Sequence, residues 1–143
     1  MPGIESVSIS ANDGHGPDVA TSLRITTAGT IQDGAGNSLG TARNVTLAQA
    51  TSSFSDFVGA GDTADYYKFT LPAASTVQAY LSGITENADL ALLDSNGSVL
   101  ASSNKLGSTP EIMGQPLAAG TYYALVTPTG GAQTNYNLTM NLA

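Results

Sequence analysis

The sequence holds no cysteine, no tryptophan and a single histidine among its 143 residues. Without cysteine there is no thiol nucleophile, no thiolate metal site and no disulfide, and the redox compartment leaves no mark on the chain. Charge is scarce as well. Charged residues make up 10% of the chain, against about 25% in a typical soluble domain. Four Lys and Arg against eleven Asp and Glu leave a net charge of −7. That is the wrong sign for neutralising phosphates or anionic lipid heads, so neither nucleic acid nor a membrane surface is an expected partner. No run approaches the roughly 18 consecutive apolar residues that a spanning helix needs. The opening MPGIESVSIS lacks the basic start and apolar stretch of a signal peptide. We read Met1-Pro2 as the start of a fragment of a longer protein, whose export signal would lie outside it.

Helical periodicity is missing too, save for a weak window from Ser38 to Ala50 in which Leu39, Ala42, Arg43 and Leu47 could share a side. Alternation takes its place. From Asp65 to Leu71, Tyr67, Phe69 and Leu71 alternate with Tyr66, Lys68 and Thr70; from Asn135 to Leu142, Tyr136, Leu138, Met140 and Leu142 alternate with Asn and Thr. Each is a strand with one core face and one wet face. Further runs of strand length cover 76–81, 89–93, 99–103, 111–117 and 121–127. Between them stand Ser82-Gly83, Asp94-Ser95-Asn96-Gly97 and Ala119-Gly120, of which 94–97 reads as a tight hairpin turn. Short, evenly spaced strands predict an all-β sandwich or barrel of one domain. Residues 1–36 differ in composition and read as an N-terminal linker or added edge ribbon, and residues 37–143 as the sandwich.

The single histidine, His15, lies between two glycines. That is a poor mount for a general base, and no G-x-S-x-G offers it a serine. No catalytic residue is assigned. Eight of the eleven acids are Asp, most of them in or beside turns: Asp13, Asp18, Asp33, Asp56, Asp62, Asp65, Asp89 and Asp94. Short carboxylates on Gly-rich loops suit a hard cation such as calcium. Asp also favours turns through bonds to local backbone N–H groups, with no ion needed. The loop D-G-A-G-N-S at 33–38 lacks the third oxygen ligand and the distant Glu of an EF-hand. Glycoside hydrolysis by a carboxyl pair normally comes with an aromatic-lined groove. Here Tyr67, Phe69 and Tyr136 already belong to core faces. Tyr66, Tyr80 and one of Tyr122 or Tyr123, taken as Tyr122, remain for a flat contact patch. The sequons at Asn44, Asn96 and Asn137 are what a chain this rich in Asn, Ser and Thr produces by chance.

Four stretches in order, G-D-T-A-D-Y-Y-K-F-T-L (61–71), A-D-L-A-L-L-D-S-N-G-S-V-L-A-S-S (88–103), L-A-A-G-T-Y-Y-A-L-V (117–126) and T-N-Y-N-L-T-M (134–140), resemble the bacterial pre-peptidase C-terminal domain. The resemblance covers about 37–143. It implies a jelly-roll-like antiparallel β-sandwich of eight or nine strands, itself without catalytic residues, appended to secreted peptidases and other exported bacterial proteins, cyanobacterial ones included. In that family the domain assists substrate binding, maturation or secretion, and one branch holds calcium between its N-terminal linker and the sheet edge. Carried over by position, Asp62 and Asp65 match the acidic pair before the Tyr-x-Phe strand, and Asp89 matches the Asp of the A-D-L stretch. The acidic linker of the calcium-binding branch has Asp33 and Asn37 as its nearest counterparts, so the resemblance implies calcium at Asp33, Asn37, Asp62 and Asp65. The expected partners are a protein or polysaccharide substrate, or neighbouring domains of the parent chain, with the module monomeric and the parent secreted. Three rivals stand beside this reading: a carbohydrate-binding module, against which the lack of Trp counts; a structural spacer or calcium-stiffened adhesin repeat; and a small hydrolase using Asp62 or Asp65.

Overall fold

The computed structural model describes residues 33–143. The expectations placed on 1–32, including most of the linker or ribbon, His15, Asp13 and Asp18, lie outside the described residues. Nine strands follow in order: β1 (Arg43–Asn44), β2 (Ser52–Val58), β3 (Asp65–Leu71), β4 (Ser75–Ser82), β5 (Ala88–Leu93), β6 (Val99–Ser103), β7 (Glu111–Leu117), β8 (Gly120–Pro128) and β9 (Thr134–Leu142). They build two sheets, one ordered β1-β3-β8-β5-β6 and the other β2-β9-β4-β7. All pairings are antiparallel except that of β1 with β3. Leaving β1 aside, successive strands change sheet at every step except the β5–β6 hairpin, and the two sheets pack as an antiparallel-dominated β-sandwich.

Alternation drives the assembly. The odd positions of β3 pair with the even positions of β8, so Tyr67 lies opposite Ala124 and Phe69 opposite Tyr122 on one inner face. From the other sheet come Val77, Ala79 and Leu81 of β4 and Tyr136, Leu138 and Met140 of β9, all buried. Apolar side chains on two facing pleated surfaces leave water only by facing each other, and that burial is the main stabilising term. The β5–β6 turn forms as its sequence predicts. Asp94 Oδ1 accepts from Asn96 N at 2.8 Å and Ser98 N at 2.9 Å, and Gly97 takes a φ of +86°.

The window at Ser38–Ala50 is not helical. Ser38 and Thr41 close a turn through their hydroxyls, Arg43 and Asn44 pair with β3, and Val45 and Leu47 pack on the core as extended chain. Tertiary pairing along the β3 edge overrides a weak local pattern that has no caps. Strand β2, with Phe54 and Val58 turned inward opposite Leu138 and Thr134, also falls outside the strands read from the sequence.

One buried carboxylate has a purely structural place. Glu111, fully buried at the start of β7, accepts hydrogen bonds from Ser103 Oγ and from Lys105 N, the latter at 2.8 Å. It thereby closes the loop between β6 and β7. Glu111→Ala leaves both donors without a partner and is expected to cost about 2–4 kcal/mol. Glu111→Gln, whose amide can still accept from Lys105 N and donate to Ser103, is expected to cost about 1 kcal/mol. Urea unfolding midpoints of the two variants check the contrast.

Candidate metal centre

Residues 33–45 run along the exposed edge of β3 as a strap. Tyr66 N donates to Gly36 O at 3.0 Å, Arg43 N to Ala35 O at 3.0 Å and Val45 N to Lys68 O at 2.8 Å. Ala35 is fully buried. Gly36 has a φ of +71°, and a Cβ there would fall 2.1 Å from Thr41 O, so the strap turns only because this residue has no side chain. A second contact comes from β2, where Asp56 Oδ2 accepts from Gly34 N at 3.0 Å. The Arg43 guanidinium lies 5.4 Å above the Phe54 ring and closes the strap from the other side.

The strap brings Asp33 to the mouth of the sandwich. There Asp33, Asp62 and Asp65 each turn one carboxylate oxygen to a common point, all three within 4.8 Å of one another. Asp33 is held by its own turn: Oδ1 accepts from Gly36 N at 3.0 Å and Oδ2 from Asn37 Nδ2 at 3.1 Å. Asp62 ends a tight turn closed by Gly59 N to Asp62 O at 2.7 Å and the reciprocal bond at 3.1 Å, with Gly61 at a φ of +87°. Asp65 opens β3 on the same inward parity as Tyr67 and Phe69 and is fully buried. The Tyr136 hydroxyl of the opposite sheet donates to Asp65 Oδ2, and the Tyr67 and Tyr136 hydroxyls lie 2.7 Å apart.

The electrostatics are unfavourable to bare carboxylates. Burial, opposed by the Tyr136 hydrogen bond and reinforced by the charges of Asp62, Asp56 and Asp33, pushes Asp65 up to about 8. Burial and the charges of Asp33 and Asp56 raise Asp62 to about 6, with the neighbouring Asp65 carboxyl acting against them. Burial also raises Asp56, with the Gly34 and Phe57 N–H groups acting against it. The hydroxyls of Tyr67 and Tyr136 are raised by burial above the ordinary tyrosine range. Among the described residues, both oxygens of Asp62 and Oδ1 of Asp65 are buried and accept no hydrogen bond. Buried carboxylate oxygens normally find donors or a metal. Three carboxylates from separate segments converge here, two of them with oxygens short of donors, and such a set could hold a hard divalent cation.

Of the four residues that the family resemblance marked, three therefore converge, while the Asn37 amide nitrogen braces Asp33. Asp89 stands apart on β5, where its Oδ2 accepts from Thr129 Oγ1 at 2.9 Å. Asp56, Tyr67 and Tyr136 belong to the site and were not singled out for it. A signal was present: Asp65 shares the inward parity of its strand, and a buried tyrosine hydroxyl needs a polar partner. The tyrosine patch does not form. Tyr66 lies on the outer face of the five-stranded sheet and Tyr80 on that of the four-stranded one. Tyr122 turns inward opposite Phe69, its ring centroid 6.0 Å away and its hydroxyl donating to Ala118 O. The pairing register of β3 with β8 puts Tyr122 on the core side, which leaves Tyr123 on the outer parity.

The family model described as "Bacterial pre-peptidase C-terminal domain" matches residues 63–128. No curated protein sequence matches. Among solved structures, the pre-peptidase C-terminal domain of collagenase from Bacillus anthracis is 16% identical, with 69% of this chain and 93% of that one covered and a TM-score of 0.60. At that identity the likeness shows the fold. A mutant of PliG from Escherichia coli, a periplasmic inhibitor of g-type lysozyme, is 20% identical over 71% of this chain and 98% of its own, with a TM-score of 0.49. The carbohydrate-binding module CBM36, solved with calcium and xylotriose, is 16% identical over 66% of this chain and 88% of its own, with a TM-score of 0.41.

The raised carboxyls set a pH dependence. In chelator, the folded protein keeps protons on Asp65 and Asp62 that the unfolded chain, with carboxyls near 3.8, has released. The native state then binds more protons, and stability falls as pH rises from about 4 to about 8. Urea midpoints in chelator are expected to drop across that window, and Asp65→Asn, which still accepts from Tyr136, to flatten the drop.

Proposed function

We propose, from the match of residues 63–128 to the bacterial pre-peptidase C-terminal domain, that this chain is a non-catalytic accessory module of an exported bacterial protein, stapled by calcium. In this reading the ion joins the strap to the sandwich and fixes how the module is presented to substrate or to neighbouring domains. The observation that carries it is the convergence of Asp33 with Asp62 and Asp65, whose buried oxygens accept too few hydrogen bonds to be stable as bare anions. Calcium takes six to eight oxygen ligands in flexible geometry, so carboxylates and nearby backbone carbonyls suit it. Asp33, Asp62 and Asp65 would hold the ion, Asn37 and Asp56 would brace the strap, and Tyr136 would orient Asp65.

No reaction is assigned to the module. Its converging acids lie on one spot, and among the described residues no second group is set across a cleft from them to divide acid from base work. Secretion accords with the peptidase association of the domain and with a surface that draws its polarity from hydroxyls and amides. Calcium supplied at about 100 times its dissociation constant is expected to stabilise the fold by about 2.7 kcal/mol, or roughly 10 °C in Tm for a unit of this size. Isothermal titration and thermal melts with calcium and with chelator test the proposal. Asp62→Asn and Asp65→Asn should remove the response while the chain still folds. A calcium response that survives both substitutions, or none in the parent chain, overturns the assignment.

A further inference from the structure

The outer face of the four-stranded sheet is chemically unlike the rest of the molecule. Parity and register place Ser53, Ser55 and Phe57 of β2 on that face, with Asn135, Asn137, Thr139 and Asn141 of β9, alternate residues of β4 and alternate residues of β7. Among the described residues, these outward positions include no carboxylate, ammonium or guanidinium. The five-stranded sheet differs, presenting Lys68 and Asp89 outward. A chain of net charge −7 thus keeps one whole sheet face neutral.

A groove of about 320 Å³ crosses this face over β9, β4 and β7. Two cross-strand rows make it. Thr139, Tyr80 and Ile112 stand side by side in one, and Asn141, Gln78 and Gly114 in the other. Tyr80 and Ile112 are 39% and 58% exposed. The groove opens at Gly114, where a Cβ would meet nothing within 4 Å. Asn141 Nδ2 donates to Gln78 Oε1 at 3.3 Å. Among the described residues, Gln78 Nε2, Asn141 Oδ1 and the Tyr80 hydroxyl make no hydrogen bond. A free donor and a free acceptor therefore lie next to each other, beside an aromatic ring.

We infer that this groove binds a neutral polysaccharide. Each sugar hydroxyl donates and accepts, so neighbouring hydroxyls match the Gln78–Asn141 pair, which bears both functions and no charge. The C–H edge of a pyranose is weakly positive and suits the negative face of Tyr80. Acidic glycans are disfavoured by the net charge of the chain. A peptide is served less well. An extended peptide docks through backbone hydrogen bonds to a strand edge, whereas the polar pair of this groove, Gln78 and Asn141, stands on the inner strands β4 and β9, each of which is paired with a strand on both sides. The volume sits at the low end of ligand sites, about 300–1,000 Å³, as expected for a groove that grips a short stretch of a long polymer. The groove shares no residue with the calcium centre, and its reading does not rest on that one.

Affinity electrophoresis of the 143-residue chain through gels containing hydroxyethylcellulose, galactomannan or soluble starch tests the inference, with polygalacturonate and gelatin as counter-probes. At least one neutral polysaccharide should retard the chain, equally in calcium and in chelator. Tyr80→Ala removes the platform. Gly114→Val fills the groove with a strand-favouring side chain in open space and leaves the fold intact. Each should weaken retardation at least tenfold. Retardation by none of the three neutral polysaccharides, retardation unchanged in Gly114→Val, or retention by gelatin alone would each overturn it.

Discussion

One contact between the sheets governs the rest: the hydrogen bond from Tyr136 of β9 to Asp65 of β3. It crosses the sandwich at its mouth, with the Tyr67 hydroxyl continuing the chain at 2.7 Å from that of Tyr136. The bond satisfies one oxygen of a fully buried carboxylate and leaves the other without a donor among the described residues. A carboxylate in that position is costly unless it is protonated or paired with a cation. Burial raises its proton affinity, and Asp62 and Asp33 beside it turn an isolated cost into a shared demand for positive charge. The strap completes the cluster, because the third carboxylate arrives only when residues 33–36 lie against β3.

The strap and the sheet edge depend on one another. An exposed edge strand presents unpaired backbone groups, which proteins cover or blunt. Here Tyr66 N donates to Gly36 O and Val45 N to Lys68 O, so the segment that carries Asp33 also shields β3. Asp56 anchors Gly34 from the other sheet. Edge protection and the gathering of three carboxylates thereby meet in a dozen residues. The neutral outer face of β2, β9, β4 and β7 follows a different logic. Its amides and hydroxyls are well hydrated without charge, and where Gly114 omits a side chain they frame a groove instead of a flat wall.

Much of this was legible in order along the chain. The alternation of Asp65–Leu71 and Asn135–Leu142 gave strands whose inner residues are those now buried, and the Asp94–Gly97 turn closed as its residue types require. The stretch 38–50 misled, because a few apolar residues at helical spacing say nothing of the β3 edge waiting to pair with them. Strand β2 was missed for a related reason. Its serines and acid give it little β character, and it becomes a strand by lying against β9.

For the site, the family resemblance marked Asp33, Asp62 and Asp65, while nothing local separated them from Asp89 or Asp94, which serve turns and strand ends. The sequence by itself determined which side of its own strand each residue occupies and where the chain reverses, since both follow from backbone geometry over a few residues. Which strands become neighbours was decided only by the tertiary structure. That choice brought Tyr136 to Asp65 across 71 positions, put Tyr66 and Tyr80 on opposite sheets, and turned Tyr122 inward. Convergence of this kind is a property of long-range packing, where burial of the whole core selects one arrangement that no short window can encode.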